Sequence, residues 1–414
     1  MASTFTSNLN LEKPGFRDYV DAWHNVLNAN FDKIDESVAR LTDTISRHLF
    51  VDPTRTDLYT PNGTRAKPYK LVQEAINYAE ANLNPSHNNP VLIYVMPGIH
   101  TESIIIKKSG VNLQGLGMCR IKTSSGTNTR PALTISNATI SSLNSFFAND
   151  GRNNASSAYS NLIADTFLPV AVNIKDIEFG DPAITNVNDV MILGAGNGTA
   201  FLSSDASFYR CICHSNFFAR NANYVKLRND CCIKGNLTTF NIAGSWFEHS
   251  VIIGNAEISY NVASPQPSDI SNFGLNGGPV KIRGSLLIFG AGRAGFDELT
   301  NLLVSGNIDL DNSANCKVNS GYVNGDINVE GTATFTFRNI FIEGSVNLSD
   351  VEGTTPCVLD GSQIITGIVD PSSRLIWHDF NAANAGDWSG APPQTIKSAI
   401  DRLAAKVASD LSPA

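Results

Sequence analysis

Glu257 and Asp309 are the residues in this chain whose type and spacing first invite chemistry. Each stands three positions after a glycine, Gly254 and Gly306, inside the look-alike segments VIIGNAEI and LVSGNIDL. Asp311 follows Asp309 by two. Two carboxyls held about 6.5–9.5 Å apart are the working parts of an inverting glycosidase: one protonates the leaving oxygen, the other activates a water. Glu257 with Asp309 is therefore a candidate catalytic pair, and Asp309 with Asp311 a second. Trp246 and Tyr260 are aromatic rings that could stack on a sugar. The competing reading, solvated carboxylates on an outer face, is far commoner for Asp and Glu, and the sequence leans that way. No Ser-His-Asp arrangement, phosphate loop or nucleotide motif is visible. No cofactor is expected.

A repeat carries these residues. Glycines at 235, 254, 284, 306, 325 and 344 lie 19, 30, 22, 19 and 19 residues apart, in CIKGNLTT, VIIGNAEI, KIRGSLLI, LVSGNIDL, YVNGDINV and FIEGSVNL. Two positions before them stand Ile233, Ile252, Ile282, Val304, Val323 and Ile342; two after stand Leu237, Ala256, Leu286, Ile308, Ile327 and Val346. The positions between are mostly polar. This is period-two alternation held in step over six repeats. Such a repeat is too short for a propeller blade or a helix pair and lacks the leucine-rich pattern. It suits one coil of a parallel β-helix, each turn about 4.8 Å above the last. On that coil Glu257 and Asp309 share an outward column, their backbones about 10 Å apart. The glycine shares parity with the inward residues, so it marks a bend where a side chain would not fit. The one long spacing holds SPQPSDISNFGLNGG (264–278), a loop thrown out between coils. Earlier coils are less regular: IIIKKSGVNLQGLG, VNIKDIEFG and FYRCICHSNFF. Between them, 123–165 is rich in Ser, Asn, Thr and Gly and reads as a surface excursion with a strand near Ala132–Ile135.

The same parity turns Leu303, Tyr322 and Phe341 outward in one apolar column. An exposed apolar column marks an interface, so these three are expected between subunits of a homo-oligomer, unless the chain's own loop roofs them. Seven cysteines cannot all pair within one chain, and none has zinc spacing. Cys213 and Cys232 are 19 apart, one step of the repeat. That would stack them at a distance a disulfide tolerates, or leave them as two small residues on a packed face.

Both ends are helical in pattern. From Phe16 apolar residues fall at 16, 20, 23, 27, 31, 34, 38, 41 and 45, which predicts an amphipathic helix. From Phe31 it becomes a short heptad seam of Phe31, Ile34, Val38, Leu41 and Ile45. Two heptads need neighbours or symmetry copies to persist. The helix is expected to stop before Pro53, leaving 51–69 as a linker. Ile396, Ile400, Leu403 and Val407 predict a second short helix near the C-terminus. Either helix is expected to join an oligomer seam or to cap the open end of the stack.

Charged residues make up 16 % of the chain and the net charge is −8. Nothing here is a nucleic-acid footprint. No basic-then-apolar leader opens the sequence and no run is long and apolar enough to span a membrane, so no signal peptide and no span are expected.

Two resemblances rest on these residues. NLNLEKPGFRDYVDAWHNVLNANFDKID (8–35) resembles the N-terminal segment shared by many tailed-bacteriophage virion proteins, through Asn8, Leu9, Leu11, Pro14, Gly15, Trp23, Leu27, Asn28, Asn30, Phe31, Asp32, Ile34 and Asp35. The resemblance implies an attachment segment, with Trp23, Leu27, Phe31, Ile34, Val38 and Leu41 facing other virion proteins or symmetry copies. Residues 71–117 resemble the entry to pectin-lyase-like right-handed β-helices: a short capping helix, a strand ending in Pro97-Gly98, Ile-strands, then Gly115 and Gly117. In that family the pectinesterases use paired aspartates with a Gln and an Arg. Only Asp176-Ile-Glu-Phe-Gly180 is similar to one such strand, and the partner motifs are missing.

Together these predict a mainly β protein: an N-terminal anchor at 1–50, a linker at 51–69, a right-handed parallel β-helix at 70–375, and a linker with a short helix at 376–414. The function expected is that of a homotrimeric phage fibre or spike in the virion, made in the host cytoplasm, with a host-surface polysaccharide as a compatible ligand. The alternatives are a capsule or lipopolysaccharide depolymerase on the same scaffold, and a bacterial β-helix adhesin, against which the missing leader argues.

Overall fold

A computed structural model describes residues 4–5, 11–13, 25–34, 47–123, 130–148, 170–193, 205–220, 222, 224–240, 244–260, 275–276, 279–295, 301–351, 356–371, 373–378 and 400–405. The chain is mainly β, and nearly all of its strands run parallel. A typical repeat has three short strands, as in Tyr224–Arg228, Cys232–Ile233 and Leu237–Phe240. The next has Gly244–Phe247, Ser250–Ile252 and Ala256–Tyr260. Each strand pairs with its counterpart one repeat on: Val225 with Ser245, Cys232 with Val251, Leu237 with Ala256. The strands so stack into long sheets, an arrangement compatible with a parallel β-helix.

The alternation in sequence sets which residues are inside. Ile233, Ile252, Ile282, Val304, Val323 and Ile342 are all buried, as are Leu237, Ala256, Leu286, Ile308, Ile327 and Val346. Each fully buried Val, Leu or Ile is worth about 1.5–3 kcal/mol of transfer free energy. Repetition of the same pair of positions gives one continuous core.

The glycine column is set by close approach. A Cβ on Gly325 would lie 2.3 Å from Asn307 Oδ1 and 2.6 Å from the Gly306 carbonyl oxygen. The backbone bends here, and successive glycines bond directly, Gly325 N–H to Gly306 O at 3.1 Å. Just past each bend, which holds Ser215 in the first case and a glycine in the others, a polar side chain accepts from the backbone of the next repeat. Asn216 Oδ1 takes the N–H of Asn236 at 2.8 Å, Asn236 that of Asn255 at 2.9 Å, Asn255 that of Ser285 at 2.9 Å. Ser285, Asn307 and Asp326 continue the series. The ladder supplies acceptors for backbone groups that the bend removes from the sheet.

Four helices accompany the strands among the described residues. The first helix, α1, covers 25–34. Helix α2, Val72–Asn82, buries Val72, Ala75, Ile76 and Ala79 against the first strands of the stack. Its N-terminus lacks a capping side chain of its own; Glu102 supplies both oxygens, to Val72 N–H at 2.8 Å and Gln73 N–H at 2.9 Å. Helix α3, Ile140–Ala148, lies on an outer sheet face. There Leu143, Phe146 and Phe147 form a second cluster with Ile105, Met191, Leu193 and Phe218. Helix α4 covers 400–405.

Several expected boundaries are corrected. The stack begins earlier than residue 70: His48–Val51 is a strand paired with Val91–Val95, and Leu49 and Val51 are buried. Residues 51–69 are no free linker, because Asp52 N–H bonds Tyr69 O, Tyr69 N–H bonds Phe50 O, and Tyr69 is buried. At the other end the strand Leu375–His378 pairs with Cys357–Asp360, so the stack runs past 375. Within 123–165 the strand expected near Ala132–Ile135 is present at Leu133–Ile135, and it is buried between Ile104–Ile106 and Asn188–Leu193, so this part belongs to the core and not to the surface. The three corrected boundaries share one physical reason: a short segment is drawn into the stack when a distant neighbour supplies the pairing edge. The loop expected at 264–278 falls outside the described residues apart from 275–276.

Candidate functional site

The outer face of the sheet that carries the carboxylates is built from one side of each strand after the glycine bend. In register, Thr238, Glu257, Leu287, Asp309, Asn328 and Asn347 form one column. Glu257 and Asp309 thus share a column two rungs apart, with Leu287 between them. Burial raises the Glu257 carboxyl above its ordinary range, so it keeps its proton to higher pH. Asp309 Oδ1 accepts from Asn328 Nδ2 at 2.7 Å, and Asn328 Oδ1 accepts from Asn347 Nδ2 at 2.8 Å. The two amides polarise each other toward the carboxylate.

Beside this column is a groove of about 290 Å³ lined by Leu287, Asp309, Asp311, Asn328, Glu330 and Asn347. Asp309 and Asp311 face it together; Glu257 is not part of its lining. The groove therefore unites one of the two expected carboxyl pairs. Glu330 was not singled out by sequence reasoning, although it stands five positions after Gly325 as Asp311 does after Gly306, so the repeat alignment itself could have found it. Hydroxyl-rich ligands would find acceptors and amide donors here. The side chains of Trp246 and Tyr260 lie outside the described residues.

The apolar column is present: Leu303, Tyr322 and Phe341 stand opposite one another on successive rungs. Tyr322 and Phe341 stack with centroids 5.7 Å apart and planes 3° from parallel. A hydrogen bond from Tyr322 to Glu343 holds the phenol pKa up. All three are half-buried.

On the N-terminal helix the described part places Val26 inward, whereas Leu27 is 42 % and Phe31 54 % exposed. Ile34 is half-buried. Trp23, Val38 and Leu41 fall outside the described residues.

The expected Cys213–Cys232 pair is corrected. The repeat at this point is 20 residues, so Cys213 lies opposite Ile233 and Cys232 opposite Ile212. Cys213 is buried inward and Cys232 is half-exposed on the outer face. All seven cysteines are free thiols.

A charged cluster that sequence reasoning missed lies at the start of the stack. Glu178 Oε2 pairs with Arg120 at 2.7 Å and with His214 Nε2 at 2.9 Å. Lys234 Nζ lies 3.2 Å from His214 Nδ1. Burial pushes Glu178 up, but the hydrogen bonds from His214 and Arg120 outweigh it and hold the carboxyl below its usual range. Burial holds the His214 pKa below the ordinary histidine value. Nearby, Asp176 sits in the left-handed region at φ 58° and is gripped by Arg210 at 2.6 and 2.7 Å. These groups are mutually satisfied across four distant segments. The strand Val172–Phe179 thus carries, through Asp176 and Glu178, ion pairs in place of paired catalytic aspartates. Among the described residues, no three His, Cys, Asp or Glu groups are placed to hold a metal ion, and no helix is long and apolar enough to cross a membrane.

No protein-family model matches the chain, and no curated protein matches it.

Proposed function

We propose that this chain is a structural protein of a tailed-bacteriophage virion, a homotrimeric fibre or spike. Its shaft is a right-handed parallel β-helix, and its N-terminal segment joins tail, baseplate or neck. The observation that carries the reading is α1: Leu27 and Phe31 remain exposed while the strand stack completes its core without them. A helix that keeps an apolar face off its own domain is built for another surface. Of the residues that carry the virion resemblance, Leu27, Asn28, Asn30, Phe31, Asp32 and Ile34 lie on this helix. Stacked, in-register parallel strands support the shaft. The outward column of Leu303, Tyr322 and Phe341 supports subunit packing. A host-surface polysaccharide is the ligand class a distal spike would meet, and the amide-lined groove suits hydroxyls.

The test is incorporation. Particles assembled with a chain lacking residues 1–46 should carry none of it on an immunoblot; particles that incorporate it at the full level sink the proposal. A second reading, a capsule or lipopolysaccharide hydrolase, is favoured by one observation, the column that Glu257 and Asp309 share two rungs apart, where burial raises the Glu257 carboxyl. Release of reducing ends from purified host polysaccharide, abolished in Glu257→Gln, would support it.

A further inference from the structure

Two thiols in the core are set for each other. Tyr209 pairs with Arg228 and Ile212 with Cys232, so one extra residue is taken up between them, and the Ile212–Cys232 register carried one residue back sets Cys211 against Cys231. Cys232 N–H bonds Cys211 O at 2.9 Å, which continues the ladder through this position. Directly opposed residues on adjacent parallel strands lie about 4.8 Å apart, inside the Cα range of disulfides. Both cysteines are buried. The backbone N–H of Cys211 donates to Cys231 Sγ at 3.5 Å, which sets the Cys231 sulfur against Cys211. No other two cysteines meet these conditions: Cys213 and Cys232 face opposite ways, and Phe335 separates Cys316 from Cys357 by a rung.

We propose that Cys211 and Cys231 form a disulfide by exchange with a small-molecule disulfide, stapling two successive repeats from within the core. Cys231 is the attacking thiol, because the backbone N–H of Cys211 points at its Sγ and favours its thiolate. The reagent reaches it past the exposed turn at Asn229 and Asp230, both in the left-handed region. The Cys231 thiolate attacks one sulfur of the reagent, which leaves as one thiolate, and a mixed disulfide remains. Cys211 then loses its proton and attacks Cys231 Sγ, expelling the second thiolate. The protein gives up two protons and two electrons, and the reagent becomes two thiols. The staple does not depend on where the chain is mounted.

The experiment uses the full chain, first reduced and then held folded with oxidised glutathione. After denaturation and alkylation, two of the seven thiols should be protected. Trypsin should leave CICHSNFFAR (211–220) joined to NDCCIK (229–234). The linkage should survive in Cys213→Ser and Cys232→Ser and be lost in Cys211→Ser and Cys231→Ser, and the oxidised chain should melt at a higher temperature than the reduced one. Seven alkylated thiols, an unresolved glutathione adduct, or a linkage that persists without Cys211 or Cys231 overturns the proposal.

Discussion

At the residue scale, position on the rung decides what a side chain does. Gly325 is held by distance to the rung below, so Gly325→Ala should cost about 1–3 kcal/mol of overpacking. Asn307→Ala removes the acceptor for the Asp326 N–H and should cost about 1 kcal/mol. Urea denaturation of each variant measures both. His214 gives a pH dependence whose sign follows from burial. Its folded pKa lies below the free value of 6.5, so the unfolded chain takes up the proton first as pH falls. Stability should therefore decline as pH drops through about 6.5. Glu178, held below 4.5 in the fold, adds a further loss only at lower pH. Melting curves at pH 7.5 and 5.5 check this: the difference should shrink in His214→Gln, and an unchanged difference would place the effect elsewhere.

At the element scale, the boundaries found in the structure change what a truncation should do. A cut after residue 46 removes α1 and leaves strand His48–Val51 in place, so the body should keep its strand circular-dichroism spectrum and its melting temperature. A cut after 52 takes that strand away and leaves Val91–Val95 paired on one side only, with Val111–Lys122. It should lower the melting temperature and promote association through the bare edge. Helix α3 shields Met191, Leu193 and Phe218 on an outer sheet face. Phe146→Ala should destabilise by about 3–5 kcal/mol, read from the same denaturation curves.

At the scale of the whole molecule, a strand stack has two ends and long sides, and each must be covered or used. α2 covers the first end with four buried residues and borrows Glu102 as its cap. The side bearing Leu303, Tyr322 and Phe341 is half-buried within one chain, which leaves area for a neighbour. Light scattering should give three times the 44.5 kDa chain mass, and Tyr322→Asp should shift it toward one chain. A mass that Tyr322→Asp leaves unaltered would remove this column from the interface.

Sequence alone determined the parallel, repeating β character, the inward and outward parity of six repeats, and the place of the glycines. These are local facts: a strand has a period of two, and six copies in step disclose their common core. The column shared by Glu257 and Asp309 followed from the same arithmetic. Only the tertiary structure decided the rest. The repeat holding the cysteines is 20 residues long, one more than the 19 that follow it, and a slip of one exchanges the faces of a strand. That slip separates Cys213 from Cys232 and brings Cys211 to Cys231. The cluster of Arg120, Glu178, His214 and Lys234 joins segments far apart in the chain, and α3 gains its place from apolar side chains on three other strands. Such contacts leave no local pattern, because what makes them is the stacking of one repeat on the next.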